Sequence, residues 1–384
     1  MVLDMEYREY KIGELCSIVT DYVSNGSFKS LADNVKYLDS GYARVIRLVD
    51  YNSNYKIKDS IWVSEQAYMF LKKSKLSGGE VILTNVGANL GTVFIVPKVN
   101  YPITLGPNSV MLKSKENDMY LYYWLISNEG QAKIKSIISG SAMPKFNKTD
   151  LKEITIKIPS LESQNKIVNI LTSIDSKIEL NNKISDNLQK LGGVLIKQEI
   201  DKSDNSIIFK DIIKFVKGKK PNNVSKTKEF GYLDYLTIAN LKNQEKIYAD
   251  VEKAVLTKND ILMVMDGASS GDIYYSNYGI VGSTLSKIEI TDNKYDPGKI
   301  YFMLNYYRKQ IKSKNTGSAI PHTDKEYIYK LQISDIDEIK KSTYQNILDC
   351  ILDINNQSSN LINLRDTLLP KLMNGEINLD KIKI

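Results

Sequence analysis

The sequence predicts an α+β protein in which two copies of a mixed α/β domain are separated by two long helices packed as an antiparallel coiled coil. Three observations predict it. Short motifs recur in the same order along the 384 residues, two segments carry a long helical apolar period, and positive charge concentrates in the two blocks outside those segments.

The recurrence is sharpest where Gly140-Ser141-Ala142-Met143-Pro144 returns as Gly317-Ser318-Ala319-Ile320-Pro321, an offset of 177. That offset also carries Ile170, Ile174, Ile184, Leu191 and Leu195 onto Ile347, Ile351, Leu361, Leu368 and Leu372. Upstream, Gly87-Ala88-x-x-Gly91 returns as Gly267-Ala268-x-x-Gly271 and Gly41-Tyr42 as Gly231-Tyr232, with offsets of 180 and 190. A drift that grows with distance is what loop insertions in a duplicated domain produce.

Within each copy the elements follow from pattern. Glu80–Thr84 and Thr92–Val96 are β-rich runs around a glycine turn, and 260–264 with 272–275 repeat the layout, so each pair predicts a hairpin. Helical stretches, Met119 to Ile138 and Lys299 to Lys314, precede each G-S-A-x-P loop. The first long helix is expected from Gln164 to Ile200, with apolar residues at Ile167, Ile170, Ile174, Ile184, Leu188, Leu191 and Leu195. The second is expected from Ser342 to Met373, ending near Pro370 and Asn374-Gly375. Intervals of seven and four fit a coiled-coil seam, interrupted at Lys177, Asn181, Ser358 and Arg365, and favour the helices packing on each other over each packing on its own domain. Lys202-Ser203-Asp204-Asn205-Ser206 suits a linker. The expected domains are 1–158 and 201–335, with helical regions 159–200 and 336–384.

Composition narrows the chemistry. An apolar share of 42% supplies cores for two or three domains, no run of about 18 apolar residues appears, and the first ten residues are charged, so a soluble cytoplasmic protein without a membrane partner is expected. Cys16 and Cys350 are too distant for a zinc cluster and read as core thiols. The net charge of +7 is modest, and its excess sits in 1–160 and 201–335. His322 is the single histidine, no P-loop exists, and the glycine turns have the wrong spacing for G-x-G-x-x-G and lead into strands; no catalytic site, metal site or cofactor is expected.

What remains is binding. Glycines at Gly87 and Gly267 let backbone N–H groups approach a phosphate, or serve hairpin geometry alone; duplication would copy either role. Arg44, Arg47, Lys145, Lys148, Lys217, Lys219, Lys220 and Lys325 are candidate phosphate ligands. Asn89, Ser141, Ser269, Ser270, Ser318 and His322 lie in the recurring turns and loops and are candidate DNA contacts. Of 25 tyrosines only Tyr344 falls in the long helices; the others suit half-buried strands or contacts with phosphate and bases.

The sequence resembles the specificity subunits of type I restriction-modification systems over its whole length. The resemblance is carried by Ile158-Pro159-Ser160-Leu161-Glu162-Ser163-Gln164-Asn165-Lys166-Ile167, by Asp175-Ser176-Lys177-Ile178-Glu179-Leu180-Asn181-Asn182 and by Leu364 through Ile377. Gly106-Pro107-Asn108-Ser109 resembles a turn of the family's target recognition domains, which adds Asn108 to the candidates. Ser334-Asp335-Ile336-Asp337-Glu338 departs from the family's proline and glutamine opening. The resemblance implies a non-catalytic protein that recognises a bipartite site on double-stranded DNA, one half per recognition domain. Two methyltransferase subunits carrying S-adenosylmethionine would bind its helices, at Ile170, Ile174, Ile184, Leu191, Ile347, Ile351, Leu361 and Leu368, and restriction subunits would join them. A two-domain protein-binding scaffold without DNA specificity is the alternative.

Overall fold

Val81-Ile82-Leu83-Thr84 is apolar at almost every position because both faces of its strand are covered. Val81 and Leu83 belong to one core cluster and Ile82 to another, the two-residue alternation of an extended chain with two buried faces. The second copy repeats this, with Ile261 and Met263 in one core and Leu262 and Val264 in another.

The computed structural model describes residues 7–57, 60–202, 206–242, 245–276, 278–317, 319–334 and 338–379. The chain forms two compact units, Met1–Asp175 with Asn363–Ile384, and Ser176–Ile362. In the first unit, β1 (Cys16–Asp21), β2 (Val81–Thr84), β3 (Val93–Ile95) and β4 (Ser109–Ser114) make an antiparallel sheet in the order β1-β4-β2-β3. A second sheet orders Ile61–Val63, Ala43–Ile46, Ile103–Leu105 and Lys75–Leu76, its two middle strands parallel. Arg8–Lys11 pairs with Thr155–Ile158.

In the second unit, β5 (Ile213–Lys217), β6 (Asp260–Val264), β7 (Ile273–Ser276) and β8 (Leu285–Ile290) follow the same order, β5-β8-β6-β7. Its second sheet again has a parallel pair at its centre, Leu233–Leu236 beside Gly279–Val281, and Ser206–Ile208 pairs with Gln332–Ser334. Each sheet of one unit therefore has a counterpart in the other, and the duplication expected from the motifs extends to topology.

The helix expected from Met119 to Ile138 is two helices, α1 (Asp118–Ile126) and α2 (Asn128–Ser136). Ser127 is extended and caps α2 through Gly130 N–H, and Gly130 sits so tightly on the Trp124 carbonyl that an added Cβ would come to 2.1 Å. A helix buried on nearly every side, α1, gives way there to an amphipathic one, α2, a break that periodicity alone does not reveal.

The two long helices are α3 (Leu161–Ile200) and, after α4 (Pro297–Ser313), α5 (Glu338–Met373). Both begin slightly earlier than expected, and Pro370 lies inside the last turn of α5. They run antiparallel: Arg365 of α5 meets Asp175 of α3 at 3.0 Å in the first unit, and the Tyr344 hydroxyl donates to Glu199 at 2.7 Å in the second. Their ends also enter the domain cores. Ile167, Val168 and Leu171 join Leu369 and Leu372 beside Trp124, while Ile196 joins Tyr344, Ile347 and Ile351 beside Phe302. Packing on each other and packing on the domain are thus not alternatives here.

The seam of α3 differs from the expected one. The buried positions of α3 include Gln164, Ile167, Leu171, Ile174, Asn181, Gly192 and Glu199, which keep the three-and-four spacing of a coiled coil. Ile184 and Leu191 lie off that line and are 36% and 48% exposed. Asn181, read as an interruption, is inside the seam, as is Ser358, its counterpart in α5. Gly192 is buried against α4 instead, where a Cβ would meet the Phe302 ring at 2.2 Å. Cys350, expected in a core, is exposed, whereas burial pushes the Cys16 thiol up to about 12, so Cys16 is no nucleophile. Of the expected linker, residues 203–205 lie outside the described residues.

Candidate nucleic-acid interface

The same pair of loops stands at the end of the main sheet in each unit. In the first, the glycine turn after β2 closes with Gly91 N–H donating to the Thr84 carbonyl at 3.0 Å, and Gly87 N–H reaches across to the Pro144 carbonyl at 3.0 Å. Ser139 and Lys145 exchange backbone hydrogen bonds at 2.8 and 2.9 Å, closing the G-S-A-x-P loop. In the second unit Gly271 donates to Val264 at 2.9 Å, Gly267 to Pro321 at 2.9 Å, and Thr316 and His322 exchange bonds at 2.9 and 2.7 Å.

The backbone agrees as closely as the hydrogen bonds. Gly87 and Gly267 have φ of 97° and 96°, and Gly140 and Gly317 have 87° and 88°, values that a residue with a Cβ adopts only under strain. Nothing lies within 4 Å of a Cβ built on Gly87 or Gly267. Glycine is needed there for the left-handed turn, and it leaves the backbone open to solvent.

Each glycine turn is held from behind by the helical region that precedes the G-S-A-x-P loop. Gln131 of α2 donates to the Gly91 carbonyl at 3.0 Å, and Asn315, just past α4, donates to the Ser270 carbonyl at 3.2 Å. Asp272 is gripped by Arg308 at 2.6 Å and by Lys312 at 2.5 Å. Burial by itself would raise the Asp272 carboxyl, but hydrogen bonds and charge from Lys312 and Arg308 outweigh it and hold the group below the ordinary 3.8. A carboxylate lowered in the folded state stabilises above its unfolded value and loses that contribution as pH falls through the lower folded value. Acid unfolding of the second unit is therefore expected to set in below about pH 4, and Asp272→Asn to flatten that limb; an unchanged acid limb by circular dichroism would contradict this.

The expected contact residues separate into three groups. Gly87, Asn89, Asn108, Ser141 and Lys145 come together in the first unit. Asn108, at a φ of 65°, is tied to Asn85 by a backbone bond of 3.1 Å, and Asn85 in turn accepts from Phe146 beside Lys145. Gly267, Ser269 and His322 form the counterpart, with Ser269 accepting from Lys242 at 3.3 Å. Lys217 ends β5 and Lys219 and Lys220 follow it, all three exposed. Lys325 lies over the Phe215 ring, 5.5 Å from its centroid. Ser318 lies outside the described residues.

Two candidates are corrected and two are occupied. Arg44 is 1% exposed and reaches Asp50 at 3.1 Å with the Tyr55 and Lys56 carbonyls, so it stabilises the sheet and cannot meet a phosphate. Ser270 is buried and donates to the Gly267 and Pro321 carbonyls at 2.6 and 2.7 Å; it welds the two loops together. Arg47 is bound to Asp50 at 2.9 Å, and Lys148 to Asp21 at 2.8 Å.

Sequence reasoning missed Phe28, which is 83% exposed on the rim of a cleft of about 460 Å³ lined by Tyr22, Leu31, Asn85 and Asn108. The signal was a lone phenylalanine between Ser27 and Lys29. It also missed Asp266, which holds the His322 ring at 2.7 Å. Among the described residues no cluster of histidine, cysteine, aspartate or glutamate could hold a metal ion, and no helix is long and apolar enough to cross a membrane.

A duplicated mixed domain, each copy with a glycine turn welded to a second loop, together with a pair of long antiparallel helices, defines the architecture. The family described as the type I restriction modification DNA specificity domain matches this chain twice, over residues 5–190 and 206–360, and the chain belongs to it. It is thus a specificity subunit, the non-catalytic component distinct from the methylase and nuclease subunits. It is 30% identical over 126 residues to the type I restriction enzyme MjaVIII specificity subunit of Methanocaldococcus jannaschii, covering 32% of this chain and 30% of that relative. To the MjaIX specificity subunit of the same organism it is 23% identical over 352 residues, 79% of each chain. The crystal structure of the type I restriction-modification S subunit from M. genitalium has the same fold, with a TM-score of 0.59, 18% identity and 96% of both chains covered.

Proposed function

We propose that this chain reads a bipartite site on double-stranded DNA, one half with each recognition domain, and directs partner subunits to it. The observation that carries the reading is the loop pair, repeated with the same hydrogen bonds and the same left-handed glycines in both units. The glycine N–H groups are engaged within the loop pair and fix its shape, so exposed side chains such as Lys145 meet phosphate and different side chains on the same frame read different bases. The recognition domains are 1–158 and 201–335. Two methyltransferase subunits carry S-adenosylmethionine and methylate adenine at the site, and restriction subunits join that complex in the cytoplasm.

The helix residues divide between two tasks. Ile174, Ile347 and Ile351 are buried and hold the helices, Ile170, Leu361 and Leu368 are half-buried, and Ile184 and Leu191 stay exposed with Leu180 and Val194. That exposed apolar stripe on α3 is the surface offered to a methyltransferase helix.

Duplex binding tests the DNA reading. If Lys145, Lys217, Lys219 and Lys220 each displace about one counterion, the association constant falls about a hundredfold between 50 and 200 mM salt. Binding with no salt dependence, or none at all, would leave the protein-binding scaffold as the better account.

A further inference from the structure

We propose that His322, oriented by Asp266, reads a base directly: its Nε2 accepts a hydrogen bond from the exocyclic amine of an adenine or cytosine in the major groove. This rests on the DNA reading above and supplies the chemistry of one contact within it.

The two loop pairs are alike in backbone and opposite in polarity at one place. In the first unit the bridge between turn and loop joins Val86 to Lys145, and in the second it joins Asp266 to His322. Lys145 is an exposed ammonium facing an apolar side chain, so it can only donate, to a phosphate or to the N7 and O6 acceptors of guanine. Asp266 changes what its partner offers. A carboxylate accepts and does not donate, so the bond of 2.7 Å between Asp266 Oδ1 and His322 Nδ1 places the proton on Nδ1. In the singly protonated ring the free lone pair is then on Nε2.

The ring is held and still reachable. Its backbone is fixed on both sides, by Thr316 through paired bonds and by Asp266 through the bridge. Gly317 admits it, since a Cβ there would come to 3.0 Å from His322 Cδ2. Even so, the side chains of His322 and Asp266 are 52% and 30% exposed. A single hydrogen bond between two groups this open to water adds little to stability, so clasping the loop does not account for the pair. An acceptor fixed in direction on an open loop is what recognition of an amine at N6 of adenine or N4 of cytosine requires.

The test is selection of bound sequences from a pool of randomised DNA duplexes, using the full chain with its methyltransferase subunits. Failure of the unaltered protein to select any two-part site would overturn the DNA reading itself and this contact with it. Given such a site, His322→Ala is expected to lose roughly five- to tenfold of the preference at one base pair of one half-site and to leave the other positions intact. Asp266→Asn, whose amide can donate to Nδ1 and so reverse the ring, should relax that same base pair while overall affinity and the thermal midpoint hold. The joint change Asp266→Val and His322→Lys gives the second unit the polarity of the first and should shift the choice there to guanine on the contacted strand. Unchanged preference at every base pair in His322→Ala, or a uniform loss at all of them, would overturn the proposal while leaving the two-part reader standing.

Discussion

Asp50→Ala is expected to destabilise the first unit by about 3–5 kcal/mol, the cost of leaving one charge of a buried pair without its partner. Arg44 sits on the central strand Ala43–Ile46 with 1% of its surface exposed. Its guanidinium is met by Asp50 at 3.1 Å and by two backbone carbonyls, while Nε has no partner. Asp50 also accepts from the Arg47 backbone N–H at 3.0 Å and so starts the helix Leu48–Asn52, which the alanine would forfeit too. Hydrogen exchange in Ala43–Ile46 measures the loss within this unit, free of the behaviour of the other. Protection unchanged within about 1 kcal/mol would mean that water reaches Arg44 and that the pair behaves as a surface one.

Glu199→Ala is expected to cost the second unit a similar amount, about 3–5 kcal/mol, through Lys299. Lys299 is buried near the start of α4 and pairs with Glu199, which also accepts from the Tyr344 hydroxyl at 2.7 Å. Three helices are tied by this one carboxylate. A cleft of about 230 Å³ lined by Glu199, Leu195, Gln198 and Tyr344 could admit water to the orphaned ammonium, which favours the lower end of the range. Joint replacement, Glu199→Leu with Lys299→Met, should recover most of the loss, because removing both charges removes the desolvation cost with the attraction. A double-mutant cycle on urea unfolding with a coupling under about 0.5 kcal/mol would contradict this.

The duplication was legible because it is written in turns. Gly87, Gly140, Gly267 and Gly317 are fixed by left-handed backbone, a local demand that survives divergence. Hairpins and helix extents were legible for the same reason, since pairing and period are short-range. The break at Ser127 was not, because it depends on Gly130 closing onto the Trp124 carbonyl. Nor was the seam: Ile184 and Leu191 look as apolar as Leu171, and only three-dimensional packing shows that Asn181 and Gly192 occupy the buried line instead. Charge was least legible at the candidate site. Arg44 and Lys145 read alike in sequence, yet Asp50 lies six residues beyond Arg44 and claims it, while Lys145 faces Val86 and stays exposed. The partner of His322 is 56 residues away, beyond any local pattern.

The central claim is that each unit reads its own half of one site. The most direct measurement replaces residues 1–158 with the equivalent block of another specificity subunit and maps methylated adenines across a genome in cells supplying the methyltransferase subunits. The account predicts a new sequence in one half of the methylated site, with the other half unchanged. Simultaneous change in both halves, or in neither, would contradict it.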